Sequence, residues 1–344
     1  MSSSTSSSDD SRKSDAQPAA AVPRRGPVYS AWRIAIALVA VLFGQDLVVR
    51  YFLLGQSADF VNIATFPQRS DRLLHAPGKS LAVLGNSAVY HGVDGELLGE
   101  RLAAHGAANF HCETFPADNA AIPEWYAIPQ RYFWRSGGSP DVIVVCFFHD
   151  QLADCHPVEI GRLAHWFAVW EDWPVLMERS VTTTNERGDF LLSSVWLSYA
   201  VRSRLRERVI GAFLPDYKEF SRQLNNVQRR QAEYRHPLSA PPVRSYDLLR
   251  GLIARAHDHG ARLIFVAFPR RPGGPPSESS EYALDDAALG VIRGAGMEFI
   301  DLRRIDGLTA AMYRDFIHMT PEGQQLFTRV LGQRLALLLK QGQK

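Results

Sequence analysis

Cysteine is scarce in this 344-residue chain, with three thiols and no Cys-x-x-Cys pair. So few thiols exclude a disulfide framework and a cysteine-built zinc site, while a single bridge among Cys112, Cys146 and Cys155 stays open if the chain is exported. A surplus of charge of one sign is also missing. Against 36 Asp and Glu stand 38 Lys and Arg, a formal charge of +2, which is too little for the phosphate neutralisation that nucleic-acid binding needs. The 25 glycines and 20 prolines follow no period, so collagen-like and repeat architectures are excluded. Long apolar runs are absent apart from one near the N-terminus, which rules out a multi-span transporter. What is left is a 46% hydrophobic, 22% charged globular sequence. Its length suits one large α/β domain with insertions or two modest domains.

Residues 1–29 are Ser, Ala and Pro with scattered charge; little apolar surface offsets the entropy of ordering, and the stretch reads as a disordered tail. Residues 30–55 form a targeting segment. Ile34–Gly44 is unbroken apolar sequence behind Arg24, Arg25 and Arg33, and apolar character resumes at Leu47 after Gln45 and Asp46. The clean stretch fits a signal-peptide core, whereas Ile34–Leu54 has roughly the ~20 residues of a bilayer span. No good small-x-small cleavage site follows Phe43, which favours an uncleaved signal anchor. The arginine flank puts the N-terminus in the cytoplasm and residues from about 56 onward on the periplasmic or extracytoplasmic side of a cytoplasmic (inner) membrane. Asp46 opposes this reading, since a carboxylate at mid-bilayer costs ~2.5–3.5 kcal/mol, but it lies past the middle of the run. A buried helix of a soluble protein is the alternative.

From residue 79 onward, strands and helices alternate. Lys79–Gly85 is a compact apolar run ending in Gly-Asn-Ser, the pattern of a buried strand and a tight turn. Val93–Leu102 has helical spacing with Gly106 as its stop, residues 108–114 suit a second strand, 122–134 a helix, and Asp141–Phe148 is the most strand-like run of the chain. After a long detour, helix 246–259, a strand around 261–269, helix 283–294, strand 297–302 and a helix opening at Pro321 complete the series. Such alternation predicts an α/β fold, a three-layer sandwich around a mostly parallel five-stranded sheet, with a helical insertion (156–244) between the third and fourth strands. The domain would then run from 56 to 344.

Sites in such sheets lie beyond the carboxyl ends of the strands. There the sequence offers Gly85-Asn86-Ser87 after the first strand, His149-Asp150 after the third, and Asp315-x-x-His318 after the last. A hydroxyl is a weak nucleophile that needs a base within hydrogen-bond reach and a third group to orient that base. Ser87, His318 and Asp315 are those three types. The Ser87 N–H, at a helix start, could also hold a developing oxyanion. Asn86, Tyr90 and His91 read as a helix cap and polar side chains facing solvent, and Cys146 as core.

LAVLGNSAVYHGVD and DFIHMTPEGQQLFTRVL together resemble the first and last blocks of the SGNH (GDSL-like) hydrolases, in particular the membrane-anchored envelope branch of alginate O-acetylation proteins and the D-alanyl-transfer protein of teichoic acid. The likeness covers roughly residues 79–155 and 246–340. It implies a flavodoxin-like sheet, a catalytic triad of Ser87, His318 and Asp315, and an oxyanion hole to which Ser87, Ala117 (or Asp118) and His149 contribute. Two positions depart from the family: a Gly is replaced near Ala117, and His149 stands where an oxyanion-binding Asn is usual. The resemblance further implies a serine esterase or O-acyltransferase working on acyl, chiefly acetyl, esters of a cell-surface polysaccharide, or on a small ester. It would need no cofactor and no metal, and would act beside a membrane-bound O-acyltransferase. The departures raise an alternative, a weak or inactive glycan-binding scaffold of an envelope polysaccharide machine.

Within the insertion, Trp166, Trp170 and Trp173 are spaced for one helical face, as a carbohydrate platform, a membrane-interface belt or a packed core stripe. LLSSVWLSYAVRSRLRERVIGAF reads as a basic amphipathic helix, placed on anionic lipid, on an anionic glycan or as a cap over the site.

Overall fold

The computed structural model describes residues 28–107, 109–214, 216–217, 220, 244–273 and 283–341. Most of the tail read as disordered, the first residue of the expected second strand and the end of the insertion lie outside the described residues. The chain divides into two compact units, Met1–Gln45 and Asp46–Lys344. In the first, the described residues belong to the helix Val28–Val48, whose side chains at Ile34, Val39 and Val41 are exposed. The segment Ala31–Gln56 is long and apolar enough to cross a membrane.

The second unit begins at Asp46, inside the segment read as an anchor. Asp46 Oδ1 accepts hydrogen bonds from Ser198 N–H at 2.8 Å and Ser198 Oγ–H at 3.0 Å. Val49 is buried in the same core as Leu197 and Val201. The end of the apolar run therefore packs on protein, and its carboxylate is satisfied by a serine.

Five parallel strands form the centre of this unit: β1 (Lys79–Gly85), β2 (Phe110–Pro116), β3 (Val142–Phe147), β4 (Arg262–Ala267) and β5 (Glu298–Asp301), in the order β2-β1-β3-β4-β5. That is the flavodoxin-like order. Alternation of side chains along each strand feeds two cores. From β1, Ala82 and Leu84 enter one face and Leu81 and Val83 the other; from β3, Ile143, Val145 and Phe147 oppose Val142, Val144 and Cys146. Both faces are covered, which is why these strands read as continuous apolar runs. Helices Phe66–His75, Ile122–Tyr132, Asp247–Asp258 and Asp286–Gly294 cover the first face, joined by the insertion, while Ser87–Gly92, Gly95–Ala104 and Pro321–Gln341 cover the second. Cys112, Cys146 and Cys155 are free thiols, and burial pushes Cys112 up to about 12.

The insertion departs from its sequence reading. Ala168 and Val169 are extended, and they break the tryptophan stretch into the turn Leu163–Phe167, the short helix Trp170–Asp172 and the helix Trp173–Arg179. The three tryptophans thus share no helical face. Trp166 stacks on Phe60 at 4.6 Å and Trp173 meets Phe190 edge-on at 5.8 Å, whereas Trp170 is exposed. The long basic helix is likewise interrupted, at extended Trp196 and at Val201, giving Thr184–Val195, Leu197–Ala200 and Arg202–Phe213. One of its arginines turns inward: Arg204 bonds Asp59 at 2.9 Å and Glu159 at 2.7 Å.

Candidate active site

The chain leaves β1 at Gly85, where a Cβ would strike Val89 of the following helix. Only glycine lets the strand pass this closely into the helix Ser87–Gly92. Asn86 caps that helix, its Oδ1 accepting from Ala88 N–H at 2.9 Å. Ser87 is consequently the first helical residue, and its N–H has no intrahelical acceptor. The turn lies at the carboxyl edge between β1 and β3, where the strand order reverses and α/β sheets open a crevice.

Asp315 and His318 come from one loop closed on itself. Asp315 Oδ1 accepts from Ile317 N–H at 2.9 Å and His318 N–H at 2.8 Å, and Oδ2 lies 2.6 Å from His318 Nδ1. His318 Nε2 is 2.9 Å from Ser87 Oγ. A carboxylate on Nδ1 fixes the proton there, which leaves Nε2 to accept from the serine hydroxyl. Partial burial is the largest single influence on the Asp315 carboxyl and works to raise it. The N–H groups of His318 and Ile317, followed by the His318 ring, outweigh burial and hold the carboxyl below its ordinary range. His91 stands edge-on to His318 with 5.0 Å between ring centres. Burial first, and then the fields of His318 and Arg314, hold the His91 imidazole below its ordinary value against the pull of Asp315.

These groups open onto a cavity of about 810 Å³, lined among others by Ser87, His318, Ala117, His149, Asp118 and Gln151. The two expected side contributors to an oxyanion hole are both on its wall, but their donors are engaged. Ala117 N–H donates to Gly85 O at 3.2 Å, continuing the β1–β2 ladder, and the neighbouring Asp118 N–H donates to Asp59 Oδ1 at 3.0 Å. His149, with φ of 31°, points Nδ1 at the Ala283 carbonyl at 2.5 Å. A carbonyl can only accept, so the proton sits on Nδ1, and in that tautomer Nε2 carries a lone pair, not a donor.

Two amides that the sequence does not single out for chemistry, Asn86 and Gln151, line the same cavity. Gln151 is buried, and its Oε1 accepts from Phe148 N–H at 3.0 Å and from Asn86 Nδ2 at 3.3 Å. The backbone donor identifies that atom as oxygen, and Gln151 Nε2 has no hydrogen-bond partner among the described residues. The amide nitrogen is therefore what Gln151 offers to the cavity it lines. Ala88 N–H, the Asn86 amide and the Gln151 amide form a relay in which each dipole polarises the next. Its only sequence trace is position: Gln151 follows His149-Asp150 at the end of a buried strand, and Asn86 reads as a helix cap, which it also is.

No family model and no curated protein matches this chain. Among solved structures it is similar to a lipase/acylhydrolase from Enterococcus faecalis, at 11% identity and a TM-score of 0.35 over 75% of this chain and 96% of that one. A proposed acylhydrolase from Bacteroides fragilis is similar at 10% identity and a TM-score of 0.36, over 82% of this chain and all of the other. At these values neither likeness bears on the chemistry, which rests on the groups around the cavity.

Proposed function

We propose that this chain is an envelope-facing serine esterase or O-acyltransferase that handles short acyl groups, acetyl foremost, on a cell-surface polysaccharide. The observation that carries the reading is the continuous Ser87–His318–Asp315 hydrogen-bond chain at the mouth of a large cavity. Ser87 Oγ attacks the ester carbonyl while His318 Nε2 takes its proton, and Asp315 stabilises the imidazolium and holds its tautomer. The carbonyl oxygen becomes an oxyanion, for which Ser87 N–H and Gln151 Nε2 are the donors in place of Ala117 and His149. On collapse His318 returns the proton to the departing alcohol oxygen and leaves an acyl-Ser87. Water or a sugar hydroxyl then attacks that ester with His318 again as base, giving hydrolysis or transfer.

Polar and charged side chains around the cavity, including Asn62, Asp118, Asp150 and Arg270, favour a hydroxyl-rich acceptor and a short acyl group over a long apolar chain. The span-length apolar segment supports an anchored enzyme; in this proposal its second unit works outside the cytoplasmic membrane, close to a membrane-bound acyltransferase that supplies acyl groups. The test is reaction of the full chain with a fluorophosphonate. Labelling that disappears in Ser87→Ala is expected; absence of labelling in a folded wild-type protein would favour the glycan-binding scaffold.

A further inference from the structure

The insertion's helix Thr184–Val195 has two unlike faces. Phe190 and Ser193 are fully buried, while Leu191, Leu192 and Val195 are 45%, 46% and 79% exposed. With Gly188, beside which a Cβ would meet nothing, these residues fall at i, i+3, i+4 and i+7, a single outward apolar stripe. Water is a poor neighbour for it. Leaving side chains of this size in water is costly, so a face of three such residues marks a contact surface.

Where this face lies in the fold identifies its occupant. Ser198, three residues past Val195, binds Asp46 through both its N–H and its hydroxyl. Three residues of chain span at most about 11 Å, so the stripe ends close to Asp46, the one carboxylate of the apolar segment Ala31–Gln56. Tyr51 and Phe52, on that same segment, are 73% and 68% exposed. Exposed Arg50 follows Asp46 by one helical turn, and exposed Arg206 and Arg208 lie on the next long helix of the insertion. Apolar side chains a few residues from a serine that holds the Asp46 carboxylate, with exposed arginines on the adjoining segments, match the layered chemistry of an anionic bilayer interface: acyl boundary first, then phosphate headgroups.

We propose that Leu191, Leu192 and Val195, with Tyr51 and Phe52, sit in the interfacial layer of the bilayer that holds the N-terminal helix. The second unit then has its own lipid contact in addition to its tether. The inference rests on the anchor reading above. Two contacts fix the orientation of the unit where a single helix would let it swivel, so the cavity is held at a constant aspect to the lipid surface.

The test uses the full chain in a Cys155→Ser background, since Cys112 and Cys146 are buried. Single cysteines from Val195→Cys, Leu192→Cys, Val41→Cys and Leu337→Cys are labelled with an environment-sensitive nitrobenzoxadiazole and reconstituted into phosphatidylglycerol-containing vesicles with or without doxyl lipid. Val41, on the apolar helix, and Leu337, on the helix Pro321–Gln341, are 68% and 52% exposed and serve as lipid and water references. Blue-shifted emission and doxyl quenching at positions 192 and 195, as at 41 and unlike at 337, are expected. Emission at 192 and 195 matching that at 337 while 41 is quenched would overturn the lipid contact and leave the anchor standing. An unquenched label at 41 as well would overturn both. Quenching at 195 that is abolished by the added substitution Leu191→Glu would support the stripe as the seat of contact.

Discussion

Each group at the site has a job set by what it touches. Asp315 accepts from two backbone N–H groups and from the His318 ring. Asp315→Asn should therefore lower kcat/KM toward an activated acetyl ester by ~10⁴-fold, the scale of the same change in a serine protease, because the wrong tautomer is then favoured. Gln151→Ala should lower kcat by about 10²–10³-fold with KM nearly constant, as expected for a donor used only in the transition state. His149→Ala, by contrast, should leave kcat within a few-fold. Steady-state kinetics on the three variants separate the assignments. The carboxyl of Asp315 is depressed, so its stabilising charge is present above the ordinary value of about 3.9 and lost only as pH falls through the lower folded value. It does not titrate in a neutral assay. Burial, and then the fields of His318 and Arg314, hold His91 below its ordinary value, which disfavours a charge on it beside His318. A pH profile with a slope of one, unmoved in midpoint by His91→Gln, is expected; a displacement of about one unit, worth 1.36 kcal/mol, would mean that His91 carries charge beside His318.

At the scale of elements, what the sequence discloses depends on whether a local pattern has one structural solution. Lys79–Gly85, Asp141–Phe148 and the strand near 264 are apolar on both faces because helices cover both faces, and each is found within two residues of its expected limits. Ser87 and the Asp315–His318 loop follow directly, since both are short local devices: a capped helix start and a carboxylate wrapped by its own backbone. The insertion was less legible. Helical spacing from Trp166 to Trp173 holds in the sequence, yet packing of Trp166 on Phe60 and Trp173 on Phe190 is won by an extended break at Ala168 and Val169. Tertiary contacts decided there against periodicity. The hydrogen bonds of the two expected oxyanion contributors were illegible for a different reason. Ala117 and His149 have suitable chemistry, but hydrogen bonds to Gly85 and Ala283 come from elements distant in sequence, and only the folded chain shows them spent.

At the scale of the molecule, the insertion and the cavity wall are joined through a buried ionic cluster. Arg162, fully buried, donates to Glu124 Oε1 at 2.6 and 2.9 Å and to Asp59 at 3.0 Å, and Asp59 in turn receives the Asp118 N–H on the cavity wall. Such a cluster contributes little net stability when complete, but loss of one partner strands the others without solvent. Arg162→Met should cost about 3–5 kcal/mol in urea unfolding followed by tryptophan fluorescence, and should lower turnover in the folded fraction by loosening residues 117–119. Arg204→Met, removing a member of the cluster that keeps some solvent, should cost far less. The kinetic expectations presuppose that Ser87 forms a covalent acyl intermediate, and that is directly observable. The full chain is mixed with an activated acetyl ester, quenched in acid within the first turnover, digested and examined by mass spectrometry. The account predicts one acetyl group on the peptide carrying Ser87, absent in Ser87→Ala and still formed, but more slowly, in Gln151→Ala; ester turnover by the wild type with no acetyl ever found on Ser87 would contradict it.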